Sequence, residues 1–298
     1  MHLPLAVVSA MTRGVISPLL DSPLPRRLRR RLLDVTGYSV PSPRGTRRAP
    51  GELGGVATEL VAAPGVPGPH VVLYLHGGGY EVGSPTSHRA LIARLSRAAG
   101  AHVYAPAYRL APEHPFPAGS ADVLAAYRAL RAAGHDAQRI AVAGDSAGGG
   151  LAMTLLLQLR AAGEELPGSV GLISPWLDFS HRSPTLALNA GSDAMLSPEM
   201  LVRAADAYSV GSDAPELRSL DADLSGLPPL HVIAGAAEIL LGDSDTLVER
   251  VEAAGGAVTY RREPRMWHAF PVFVGMLREA DEAVEELGAQ LRADCAGV

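Results

Sequence analysis

Ser146 lies in Gly144-Asp145-Ser146-Ala147-Gly148, a G-x-S-x-G pattern where an aliphatic run at 139–143 gives way to an Ala/Leu-rich helical pattern at 147–162. A serine at a strand-to-helix bend becomes a nucleophile when the bend is sharp enough to present its hydroxyl, and small flanking residues let strand and helix pass closely. The helix that follows offers free backbone N–H groups and the positive end of its dipole to negative charge forming there. Taken alone, the segment also reads as a glycine-rich turn with a capping serine. It does not read as a phosphate cradle, because residues 144–150 lack G-x-G-x-x-G spacing and no Gly-Lys-Ser/Thr follows.

A second cluster, His76-Gly77-Gly78-Gly79-Tyr80, follows the apolar run 71–75. Ligands of open α/β sheets gather beyond the carboxyl ends of the strands. Glycines at that place let backbone N–H groups turn towards a substrate carbonyl, and together with the Ala147 amide they would form an oxyanion hole. One such donor is worth about 3 kcal/mol in the transition state.

A nucleophile of this kind needs a base, in the chain order serine, acid, histidine. Of ten histidines, His268 is best placed: it follows a predicted strand at 257–262 by a short loop, so it can reach back over the carboxyl edge of the sheet. For the acid there are two carboxylates after the predicted strand 229–235. Glu238 stands three residues beyond Gly235 and 30 before His268, whereas Asp243 stands 25 before it, where it reads as the N-cap of the next helix. Glu238 is preferred, and Asp243 stays open as the alternative.

These residues require a sheet to hold them. Apolar runs at 71–76, 102–108, 139–145, 169–174, 229–235 and 257–262 read as strands, with a strand or two before residue 65, around 56–63, weakly marked. They alternate with helical patterns at 87–99, 120–133, 147–162, 243–254 and 271–293, with Ser87 and Ser120 as N-caps and Gly100, Gly134, Gly163 and Gly255 at helix ends. Runs without polar interruption suit strands buried on both faces, so a mostly parallel sheet between two helical layers is expected. Residues 1–50 and about 177–226 break this rhythm and are read as cap segments over a catalytic domain spanning 51–298.

With these motifs in order, the chain resembles the hormone-sensitive lipase family of carboxylesterases. The resemblance rests on His76-Gly77-Gly78-Gly79, Tyr108-Arg109-Leu110-Ala111-Pro112-Glu113, Phe116-Pro117-Ala118 and Gly144-Asp145-Ser146-Ala147-Gly148-Gly149, and runs from about residue 70 to 285. It implies an α/β-hydrolase fold and an N-terminal helical region that joins a later insertion to form a cap. It also implies that Gly78, Gly79 and Ala147 donate to the oxyanion, while His76 and the 108–118 segment shape the loop. Glu238 occupies the acid position of the family's G-x-x-D-x-L pattern, with glutamate for aspartate, and Gly242 stands where a second acid is usual. Tyr80, Trp176, Phe179, Met195, Leu196 and Tyr208 are candidates for an apolar substrate pocket. The modest length suggests short or medium acyl esters, with lactones, amides or carbamates as the neighbouring hydrolase class and a non-catalytic small-ligand receptor as a third reading.

Composition narrows the partners. With 47% hydrophobic and 19% charged residues, a large core is expected. Lys and Arg total 26 against 31 Asp and Glu, a net charge of −5, which argues against nucleic acid. The basic run 26–31 reads as the solvated face of a helix, and no membrane partner is expected. A single cysteine, Cys295, excludes an internal disulfide and a cysteine zinc site and fits a cytoplasmic setting. The N-terminus lacks a basic stretch before its apolar residues 3–8, so no signal peptide is expected. No metal or cofactor is implied; water is the only co-substrate, and a homodimer through an outer strand is left open.

Overall fold

Eight strands form one sheet in the computed structural model, which describes residues 2–66 and 68–296. They are β1 (Arg47–Leu53), β2 (Val56–Ala62), β3 (Val71–Leu75), β4 (His102–Pro106), β5 (Ile140–Asp145), β6 (Ser169–Ile173), β7 (Leu230–Gly235) and β8 (Val258–Glu263), in spatial order β1-β2-β4-β3-β5-β6-β7-β8. The pairs β1–β2 and β2–β4 are antiparallel and all others parallel. The carboxyl ends of β3, β5, β6, β7 and β8 therefore share one edge, which is where the sequence concentrates its candidate chemistry.

The helices are α1 (Leu5–Met11), α2 (Ser17–Leu20), α3 (Arg26–Thr36), α4 (Arg89–Ala99), α5 (Ala118–Ala132), α6 (Ala147–Ala161), α7 (Thr185–Leu188), α8 (Pro198–Ser209), α9 (Leu241–Ala253) and α10 (Arg278–Ala296). Strand side chains alternate faces, and β3 shows the result. Val71, Leu73 and Leu75 enter a core with Leu151 and Leu155 of α6 and Val123 and Tyr127 of α5. Val72 and Tyr74 enter a second core with Ile92 and Leu95 of α4 and Leu287 and Leu291 of α10. Every residue of β3, β5, β6 and β7 is buried, as strands covered on both faces must be. Among the described residues no helix is long and apolar enough to cross a membrane.

All six strongly marked strands form, and the weak signal at 56–63 is β2. The second strand allowed for before residue 65 is β1, which lies ahead of the weak signal; Arg-Arg-Ala-Pro-Gly-Glu-Leu has no apolar alternation to mark it, and only Leu53 is buried. Its pairing comes from a two-residue turn at Gly54 and Gly55, both at positive φ (59° and 84°), which joins it to β2 at the sheet's edge, where Pro50 is tolerated. The expected helix 271–293 is two elements: a short 3-10 turn, Phe270–Phe273, and α10, separated by Gly275 at φ 79°. Neither Ser87 nor Ser120 is an N-cap. His88 precedes α4, and Ser120 lies inside the first turn of α5 with its hydroxyl donating to the Pro117 carbonyl.

Candidate active site

Ser146 adopts φ 53° and ψ −119°, a strained conformation for a residue with a side chain, between the end of β5 and the start of α6. Its backbone is clamped: the N–H donates to the Ile173 carbonyl (2.8 Å), and its own carbonyl accepts from Gly150 (3.1 Å) and Trp176 (3.1 Å). The flanking glycines are steric requirements. A Cβ on Gly148 would lie 1.9 Å from the Leu75 carbonyl oxygen, and one on Gly144 would lie 2.5 Å from the Gly148 carbonyl. The Ala147 N–H is in the first turn of α6, where helical amides have no acceptor within the helix.

His268, beyond β8, is buried, and its Nδ1 lies 3.8 Å from Oε1 of the fully buried Glu238. At that distance the contact is not a hydrogen bond, and it becomes an ion pair when the imidazole is protonated. Among the described residues neither atom has a hydrogen-bond partner. The other Glu238 oxygen, Oε2, is held by the Ser174 hydroxyl (2.6 Å) and the Gly235 N–H (2.9 Å), which orient the carboxylate. Burial by itself would depress the His268 pKa, but the Glu238 carboxylate outweighs it and the pKa lies above the ordinary histidine value.

Asp243 is committed elsewhere. Its carboxylate accepts from the N–H groups of Leu177 (2.8 Å) and Asp178 (3.1 Å) and so anchors the chain beyond β6. Leu240, not Asp243, is the N-cap residue of α9, which corrects the sequence reading. Burial pushes the Asp243 carboxyl up to about 7, against the lowering by those two amides. The family's second-acid position, Gly242, is pressed against Ser183: a Cβ there would lie 1.8 Å from the Ser183 hydroxyl oxygen.

The glycine loop after β3 is shaped from behind. Gly78 and Gly79 are at φ 121° and 60°, conformations that L side chains rarely adopt. Asp145, beside Ser146, accepts from the Gly77 N–H (3.0 Å) and the Tyr74 hydroxyl (2.6 Å), and its second oxygen meets His88 Nε2 at 3.2 Å. His88 Nδ1 in turn faces the Ser84 carbonyl at 3.2 Å. Burial disfavours a charge on His88, yet Asp145 raises its pKa, while the Asp145 pKa is lowered by His88 against its own burial. His76 stacks on Tyr108 at 4.3 Å between centroids, and the Tyr108 hydroxyl donates to the His76 carbonyl (2.6 Å). Burial, reinforced by His88, drops the His76 pKa to about 3, so it stands neutral.

A cavity of about 380 Å³ opens onto Ser146, His268 and Gly77 to Gly79. Trp176, Met195 and Leu196 line it, as does Leu33 of α3 and Leu201 of α8. Tyr80 and Tyr208 do not; they stack on each other with centroids 3.9 Å apart, in a buried cluster where Phe179 stacks on Trp176 at 4.6 Å. Tyr80 and Phe179 thus pack against Trp176, the ring of this cluster that lines the cavity.

Three contributors escaped sequence reasoning. Asp145 was only the variable residue of its motif, Ser174 only the end of a strand, and Asp193 had no signal in its Ser/Asp-rich surroundings. Asp193 Oδ1 accepts from Met195 (2.9 Å), Leu196 (3.3 Å) and His268 (3.4 Å), while Oδ2 accepts from Ile239 (3.0 Å). One carboxylate thus ties the cavity wall, the His268 loop and the Glu238 loop together.

Comparison with known proteins places the chain in a family. A family model described as alpha/beta hydrolase fold matches residues 72–272. An acetyl-hydrolase of Streptomyces hygroscopicus is 42% identical over 223 residues, covering 74% of this chain and 75% of the relative. An ethyl acetate hydrolase of Pseudomonas putida is 37% identical over 222 residues, covering 72% and 70%. A crystal structure described as an esterase from the bacterial hormone-sensitive lipase family superposes with a TM-score of 0.92 at 38% identity, covering 98% of this chain and all of the other. The chain belongs to the α/β-hydrolase fold family and, within it, to the hormone-sensitive lipase family of esterases.

Proposed function

We propose that the chain is a serine carboxylesterase for short- to medium-chain esters, with Ser146 as nucleophile, His268 as base and Glu238 as the acid that orients it. The observation that carries this reading is the strained Ser146 sharing one cavity with His268, whose Nδ1 faces Oε1 of Glu238, unpartnered in hydrogen bonding among the described residues. His268 takes the Ser146 proton as Oγ attacks the ester carbonyl, and the tetrahedral oxyanion is held by the amides of Gly78, Gly79 and Ala147. His268 then gives the proton to the departing alcohol and activates water to hydrolyse the acyl-serine. Glu238 stays ionised throughout and stabilises the imidazolium.

The cavity volume, near the lower end for small-molecule sites, favours compact acyl groups over triglycerides. Residues 1–50 and 177–226 act as the cap, a reading supported by the cavity wall drawn from both segments, Met11, Ile16 and Leu33 on one side and Met195, Leu196 and Leu201 on the other. A buried free thiol at Cys295 fits a cytoplasmic setting. Homodimerisation through β8, the last strand of the sheet, is testable by sedimentation velocity.

Covalent labelling with a sulfonyl fluoride, followed by mapping of the modified residue, tests the site. Modification of Ser146 with parallel loss of p-nitrophenyl butyrate hydrolysis is expected. Modification of any other residue with the same loss of activity refutes it.

A further inference from the structure

The helix α3 presents two unlike faces. Towards the body, its arginines are matched: Arg26 Nε lies 3.0 Å from Glu81, Arg29 3.9 Å from the same carboxylate, and Arg30 2.8 Å from Glu113. Its only acid, Asp34, accepts from the Ser84 hydroxyl. Towards solvent, Leu28, Leu32 and Val35 follow i, i+4, i+7 spacing, which makes one stripe of a helix, and they are 43%, 37% and 66% exposed. Arg27 and Arg31, one residue before Leu28 and Leu32, run along one edge of that stripe, are exposed, and form no ion pair among the described residues.

The charge of the whole chain is split in the same sense. Residues 1–50 hold nine arginines and two aspartates, a net +7, whereas the rest carries −12. An apolar stripe edged by unmatched arginines, on the one strongly basic segment of an acidic protein, complements an anionic lipid interface and repels neither headgroups nor acyl chains. The inner side of the same helix supplies Arg29, Leu33 and Thr36 to the cavity.

We propose that the outward face of α3, Leu28, Leu32 and Val35 with Arg27 and Arg31 along one edge, docks the protein on an anionic phospholipid bilayer surface. Docked there, the helix is the wall between lipid and cavity, so a sparingly soluble ester passes to the site without crossing bulk water. The docking itself does not depend on the esterase reading, whereas the delivery of ester does. This departs from the sequence-based expectation of a merely solvated face, because the sequence did not reveal that three of the five arginines face two carboxylates of the body while the leucines face out.

The test uses the full chain carrying Ser146→Ala, so that binding is read without turnover. Co-sedimentation is measured with phosphatidylcholine vesicles with and without phosphatidylglycerol, at low and high salt. Binding to the anionic vesicles is expected, with a large loss in high salt. Arg27→Glu/Arg31→Glu lowers the partition constant by roughly 30-fold or more, each basic residue near the surface being worth about fivefold. Leu28→Ser/Leu32→Ser lowers it independently while leaving p-nitrophenyl acetate hydrolysis, measured with Ser146 intact, unchanged. Failure to bind anionic vesicles at low salt overturns the proposal, as does binding that survives both double substitutions. Sedimentation velocity showing that the leucine pair instead holds two copies together, with vesicle binding absent, overturns it too and assigns the face to a second copy.

Discussion

Glu238→Gln and Asp243→Asn separate the two carboxylates that compete for the acid's role. Glutamine keeps the shape of Glu238 but removes the charge 3.8 Å from His268 Nδ1. At an effective dielectric of about 20, a unit pair at that distance is worth about 4 kcal/mol, which corresponds to roughly a thousandfold in rate if the imidazolium forms only in the transition state. Because the amide also offers an N–H where an acceptor is needed, the total loss in kcat is expected at about 10³ to 10⁴, with little change in KM. Asp243→Asn retains an oxygen for the Leu177 and Asp178 amides, so kcat should stay within about tenfold of the parent. The assay is steady-state hydrolysis of p-nitrophenyl acetate and butyrate by both variants, with thermal melts to verify folding. If Glu238→Gln retains full activity, or if a well-folded Asp243→Asn is the one that loses a thousandfold, the assignment of the acid is wrong.

The activity of the parent should rise with pH through the elevated His268 pKa, since only the neutral imidazole accepts the serine proton; in Glu238→Gln the largest influence that raises it is gone, leaving only the weaker pull of Asp193 and Asp145 against burial, and this acidic limb should move to lower pH in the kcat/KM profile. Asp243 titrates near 7 in the folded state against about 4 unfolded, so its contribution is complete below about pH 4 and is lost as pH rises to about 7, an effect of up to ~4 kcal/mol. Denaturant unfolding at a series of pH values should show this slope in the parent and not in Asp243→Asn. Asp145→Asn, by loosening the Gly77 amide and the His88 pair, should lower kcat about tenfold to a hundredfold with a smaller change in KM; a change confined to KM would count against a role in positioning the oxyanion loop. Gly148→Ala should yield an inactive, destabilised protein, because the added methyl meets the Leu75 carbonyl oxygen of a buried strand, and soluble protein with native activity would contradict the packing at the turn.

Much of this protein was determined by its sequence. The strand-turn-helix run through Ser146, the glycines after β3 and the late loop bearing His268 are local patterns, and local patterns suffice because a bend needs small residues and an uncovered amide needs glycine wherever the chain goes next. The apolar runs of β3, β5, β6 and β7 likewise announce burial on both faces without knowledge of their neighbours. β1 carries no such pattern, since its place depends on an edge provided by β2. Tertiary structure alone separates the surroundings of the two candidate acids: Glu238 and Asp243 are five residues apart, and only the approach of β6 and its following loop captures Asp243 while leaving Oε1 of Glu238 facing His268. It also decided that Tyr80 and Tyr208 stack behind the site while Trp176 and Met195 line it, and that Asp193 binds three loops at once. Such duties depend on what a side chain meets from distant parts of the chain, and residue spacing carries no record of that.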